Sequence, residues 1–137
     1  WKAFVEIKSM GWVNDPLPRM VAAQSTGCAP VVKAFQERQR DTDFWENSDT
    51  VALGLNVPGP LGGAWILDIL RESKGIAIMI DEQRLKALTE EFNNLTSINS
   101  SDEGGVVWGA YSHLKKVGWI KPKERSVIFA TGIERIK

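Results

Sequence analysis

One cysteine, Cys28, and one histidine, His113, stand in 137 residues. No internal disulfide can form, which suits a reducing compartment, and a cytoplasmic location is expected. One residue of each kind is too few for a structural zinc site, which takes four ligands. Cys28 lies among Gly27, Ala29 and Pro30, far along the chain from His113, so it reads as a packed side chain rather than a nucleophile. Charge of one sign is lacking as well: Lys plus Arg number 17 and Asp plus Glu number 17. That balance favours neither nucleic acid nor an anionic membrane surface as a partner. Lys115-Lys116 with Lys121 and Lys123 is the one basic cluster, and it reads as a solvated helix end. No apolar run approaches the roughly 20 residues that cross a bilayer. No secretory leader is visible, so the sequons at 94–96 and 99–101 read as chance. Asp41-Thr42-Asp43 offers fewer oxygens than a divalent cation needs, and no metal site is expected. The six tryptophans are spaced as scattered packing positions rather than as a sugar platform.

What is present is the alternating pattern of an α/β protein. Residues 1–10 carry Phe4, Val5 and Ile7 among charges, the pattern of an amphipathic helix, and Gly11 closes it. No cap precedes Trp1, so further sequence before it is expected. Met20–Ala23 reads as a buried strand and Gln24–Gly27 as a turn. Pro30 opens a helix to about Arg38, because its absent N–H is not needed in a first turn. Residues 39–50 are a polar surface loop. Pro58-Gly59-Pro60 precedes a helix with Trp65, Ile66, Ile69 and Leu70 on one face, ended by Lys74 and a left-handed Gly75.

Ile76–Ile80 is the clearest strand, with no polar alternation, so both of its faces are expected to be covered. Asp81 caps a helix that aligns Leu85, Leu88 and Phe92. Residues 93–102 read as a loop, and Gly104-Gly105 opens a last helix through Leu114. Val127–Ala130 then reads as a third strand. Strands joined through helices run parallel, so the expectation is a three-layer αβα arrangement around a parallel sheet.

The end of that last strand is the most telling point. Thr131-Gly132 follows it, at the carboxyl end of a strand, where open α/β sheets bind ligands. The threonine offers a hydroxyl that donates or accepts, and the glycine admits close approach to the backbone.

Five segments, in order, resemble threonine synthase and related pyridoxal-phosphate enzymes of the tryptophan-synthase β-like family. They are residues 18–30 (Pro18-Arg19-Met20 through Gly27-Cys28-Ala29-Pro30), Ala52-Leu53-Gly54-Leu55-Asn56-Val57-Pro58, Gly75-Ile76-Ala77 through Asp81-Glu82, Asp102-Glu103-Gly104-Gly105, and Val127 through Gly132. The resemblance implies the large domain of a fold type II enzyme and pyridoxal 5'-phosphate as cofactor. It places residues 1–137 in the carboxyl-terminal half of that domain. It assigns Thr131, followed by Gly132, to the pyridine nitrogen, Ala52, Leu53 and Gly54 to the ring, and Glu103 and Gly104 to the pocket. Glu103 reads equally well as a first-turn carboxylate favoured by the helix dipole.

The resemblance also puts the Schiff-base lysine and the phosphate loop in earlier sequence, so no catalytic residue is expected here and the piece alone is expected to be inactive. Lys33 and Lys86 read as ordinary surface lysines. Ile133-Glu134-Arg135-Ile136-Lys137 replaces the family's usual continuation, as a divergent relative with another substrate would. The implied reaction is conversion of O-phosphohomoserine to threonine and phosphate, with a small amino-acid substrate and a homodimeric parent. A serine/threonine dehydratase, a cysteate synthase and a non-catalytic α/β ligand-binding module stand as the alternatives.

Overall fold

The computed structural model describes residues 1–133. The departures at Glu134 and Lys137 lie outside the described residues. Five α-helices and two strands follow in the order α1 (Lys2–Ser9), β1 (Val21–Ser25), α2 (Pro30–Gln36), α3 (Gly63–Glu72), β2 (Ile76–Ile80), α4 (Leu85–Thr96) and α5 (Asp102–Lys116). β1 and β2 pair in parallel, with Ala22 beside Ala77 and Ala23 beside Ile78.

Side-chain alternation along the strands sorts the molecule into three layers. Ala22, Ala77 and Met79 pack with Val32, Leu67 and Leu70 of α2 and α3. Ala23, Ile78 and Ile80 pack on the other face with Leu85, Leu88, Val106 and Ala110 of α4 and α5. The apolar run of β2 therefore serves two cores, as its lack of polar alternation requires. Full burial of a Leu such as Leu67 contributes about 1.5–3 kcal/mol.

Local chemistry sets the element ends. Pro30 stands at the start of α2. The Asp81 carboxylate accepts the Gln83 N–H at 3.1 Å and starts a 3-10 turn over Glu82–Arg84, which leads into α4. A short turn over 97–101 reverses the chain, with Ser97 left-handed at φ 58°. α5 then returns along α4 through its glycines. A Cβ at Gly105 would run into Thr89 Oγ1 and lie 2.7 Å from Leu85 O, and one at Gly109 would lie 2.8 Å from Leu88 Cδ1.

Several expectations are corrected. Val127–Ala130 forms no strand among the described residues; Val127 is 81% and Phe129 72% exposed. A β-branched run favours extended backbone, but it becomes a strand only when a neighbour pairs with its N–H and C=O groups. On α3 the buried face is Gly63, Leu67 and Leu70, while Trp65 is 78% exposed. Trp12 is exposed as well, so the tryptophans are not uniformly packing positions. The left-handed residue after α3 is Lys74 at φ 53°, not Gly75. Gly75 is required for a different reason: a Cβ there would overlap Met20 O. α4 extends through Asn93 and Asn94 to Thr96, because tertiary packing of Phe92 outweighs asparagine's preference for turns. α5 starts at Asp102, two residues before the glycine pair. α1 has no buried residue, and Phe4 and Val5 remain exposed.

Candidate functional site

Three segments distant in sequence meet along one side of α4, whose Lys86, Thr89, Glu90 and Asn93 also line the cleft of about 930 Å³ they form. The first is the stretch entering the 3-10 turn Leu53–Leu55, the second the start of α5, and the third Thr131–Ile133. Of the residues singled out by sequence, Leu53, Gly54, Glu103, Thr131 and Gly132 line this cleft. Ala52 and Gly104 do not; both are buried behind it. Ala52 packs in the core with Val106, and a Cβ on Gly104 would collide with Ser100. Their smallness lets the walls close.

Glu103 joins the three segments. Its Oε1 accepts the Gly54 N–H at 2.6 Å, and its Oε2 accepts from the Ser101 hydroxyl. A Cβ on Gly132 would fall 2.6 Å from that same Oε2 and overlap Ser101 Oγ. Glycine is therefore what lets the last segment lie against the carboxylate. Burial pushes the Glu103 carboxyl up. The bonds from Ser101, its own backbone N–H and the Gly54 N–H outweigh burial and hold it below the ordinary glutamate value. It is an ionised anchor with its lone pairs engaged rather than a poised proton donor. Its place in the first turn of α5 favours that charge too, so Glu103 is at once a first-turn carboxylate and a residue lining the cleft.

Two serines that the sequence offered only as part of a sequon complete the junction. Ser100 Oγ donates to Gly132 O at 3.2 Å, and Ser100 forms an antiparallel bridge with Ile133. Asn93 fixes Ser100 in turn, its Oδ1 accepting the Ser100 N–H at 2.9 Å and its Nδ2 donating to Ser100 O at 3.1 Å. The Thr131 side chain is left exposed at the cleft, as is Leu53 at 77%. The cleft thus offers an apolar wall, an exposed hydroxyl and a carboxylate already engaged in hydrogen bonds. Lys86 of α4 rims it, where sequence placed this lysine on an outer face.

Cys28 is wholly buried, and burial pushes its thiol up against a smaller opposing bond from the Val57 backbone. It has no part in the cleft. Among the described residues no three His, Cys, Asp or Glu side chains are grouped to hold a metal, and no helix is long and apolar enough to cross a membrane.

No protein-family model matches the chain. It is similar to the threonine synthase of Methanosarcina acetivorans, at 28% identity over 132 residues, and to that of Methanocaldococcus jannaschii, at 26% over 132 residues. Each likeness covers 96% of this chain and 32% of the relative, so the chain spans about a third of their length. The fold matches that of maize serine racemase with a TM-score of 0.63 and 14% identity, over 87% of this chain and 35% of that one.

Proposed function

We propose that this chain is the carboxyl-terminal part of a threonine synthase, an enzyme that uses pyridoxal 5'-phosphate to convert O-phosphohomoserine to threonine and phosphate. The observation that carries the reading is the convergence of residues 53–54, 103 and 131–132 on one cleft. The likeness to threonine synthases runs through all three segments.

The residues present fit the cofactor's ring. Leu53 offers an apolar face to a flat heterocycle, and Gly54 sets no side chain against it. Thr131 would hold the pyridine nitrogen through a neutral hydroxyl. Such a partner leaves that nitrogen largely unprotonated, whereas the charge of a carboxylate would stabilise its protonated form. Glu103 is close by but committed to Gly54 and Ser101, so it does not compete for that role. The cofactor, when bound, supplies the electron sink for carbanion chemistry, and the protein supplies orientation. This chain's share is to form one side of the site and to tune the ring. The lysine and the phosphate-binding loop belong to the rest of the parent, which we read as a cytoplasmic homodimer.

Assaying the intact gene product tests the reading. Phosphate release from O-phosphohomoserine that depends on added pyridoxal phosphate is the expected result. Deamination of serine without phosphate release would instead favour a dehydratase.

A further inference from the structure

A second glutamate holds the same cleft wall from the opposite end. Glu82 follows β2, at the carboxyl end of the sheet. Its Oε1 accepts the Val51 N–H at 2.6 Å, and its Oε2 accepts from the hydroxyl of Ser25, the last residue of β1. Ser25 is fully buried and also accepts the Gly27 N–H at 3.0 Å. The backbone of Glu82 is held too, its N–H donating to Thr26 Oγ1 at 2.9 Å. Gly27 allows this crowding, since a Cβ there would overlap Asp49 O and touch Glu82 Oε2 at 3.0 Å. Burial pushes the Glu82 carboxyl up, but the bonds from Ser25, Val51, Thr50 and Gly27 hold it below its ordinary value.

Val51 and Gly54 are thus tied by two carboxylates on different elements, at the same donor–acceptor distance of 2.6 Å. Between them lies the exposed Leu53. Ala52 anchors this wall in the core with a single methyl, but no residue of the turn Leu53–Leu55 is itself buried, and charge-assisted bonds to backbone N–H groups are the strong kind. We propose that Glu82 is a positioning residue, which locks the Val51–Leu55 wall to the ends of both strands and so sets where Leu53 and Gly54 meet a bound ring. This deepens the proposed function and rests on it for the identity of the ring.

The test uses the intact gene product carrying Glu82→Ala or Glu82→Gln. It reads amide hydrogen exchange at residues 51–55 without cofactor, and the dissociation constant and absorption maximum of added pyridoxal phosphate. The alanine variant is expected to exchange its Val51 amide about tenfold faster and to bind the cofactor several-fold more weakly, with β2 protection retained. Glutamine should move both readouts in the same direction by less, because neutral bonds are about half as strong. Wild-type exchange at Val51, or faster exchange with unchanged affinity and spectrum, would overturn the proposal. If the alanine variant does not fold, the glutamine variant decides, and wild-type values in both readouts overturn it. A wild-type product that binds no pyridoxal phosphate would sink the proposed function, and the exchange comparison alone would then decide Glu82.

Discussion

Glu103 and Gly54 lie 49 residues apart in sequence, yet the carboxylate of one accepts the backbone N–H of the other at 2.6 Å. That bond closes the cleft, because it fixes the 3-10 turn against the start of α5. Replacing Glu103 with Ala, which leaves the Gly54 N–H and the Ser101 hydroxyl without their acceptor, is expected to cost about 1–3 kcal/mol, the range for a buried group left unsatisfied. Chemical denaturation of the two proteins measures it, and equal midpoints would contradict the assignment.

The same residue sets an acid limit. Its folded value lies below its unfolded value of about 4.3, so its stabilisation is complete above that pH and is lost as pH falls through the lower folded value. Glu82 shares this sign. Thermal midpoints should hold level from neutral pH to about 5 and then fall. The fall should be shallower in Glu103→Gln, and parallel curves would count against the bond network.

The α4–α5 seam depends on an absent side chain. Gly105→Ala would set a methyl against Thr89 Oγ1 and the Leu85 carbonyl, the latter backbone that cannot swing aside. Overpacking of this kind costs about 1–3 kcal/mol, against the gain of a few tenths to about 1 kcal/mol that alanine brings to an open helix site. A net loss on thermal unfolding is expected, and a stabilised variant would show that the seam has slack.

Much of this was legible in sequence, and the limits are physical. β2 is legible because its apolar run, rich in isoleucine and bounded by Gly75 and Asp81, has no polar interruption. The start of α2 was fixed by Pro30. Val127–Ala130 carried the same local signal as β2, but pairing is a property of two segments and one run cannot reveal its neighbour. The face of α3 is legible in part: Leu70 is buried and Ile66 packs on the core, but Trp65 is exposed and Leu67 takes its place, because hydrophobicity alone does not say which side meets the sheet. Five of the seven singled-out site residues line the cleft, whereas Ala52 and Gly104 serve it from behind. The parts of Ser100, Ser101 and Asn93 are not legible, because Ser100 and Asn93 bond backbone across the 97–101 connection and Ser101 bonds the Glu103 carboxylate, and neither leaves a periodic trace. Serines before a helix that starts with two acids are the signal that could have found Ser100 and Ser101, whereas nothing local marks Asn93 within α4.

Cys28 yields a test of a different kind. A fully buried thiol with its proton held more tightly than usual should resist thiol reagents until the chain opens. Modification is expected to track global unfolding across a denaturant series. Rapid labelling in native buffer would place Cys28 at the surface.

Among the described residues β2 pairs on one edge only, with β1, and its other edge lies along a groove of about 470 Å³. Unpaired edges recruit further strands. The 137-residue chain alone is therefore expected to associate in light scattering, and a clean monomer would contradict this.

The most direct measurement is an absorbance titration of the intact gene product with pyridoxal 5'-phosphate, run beside its Thr131→Val counterpart. A saturable band distinct from the free cofactor, shifted or several-fold weaker without the hydroxyl, is the expected outcome. No saturable band in the wild-type protein, or an identical band and affinity in the variant, would refute a vitamin B6 site built around Thr131.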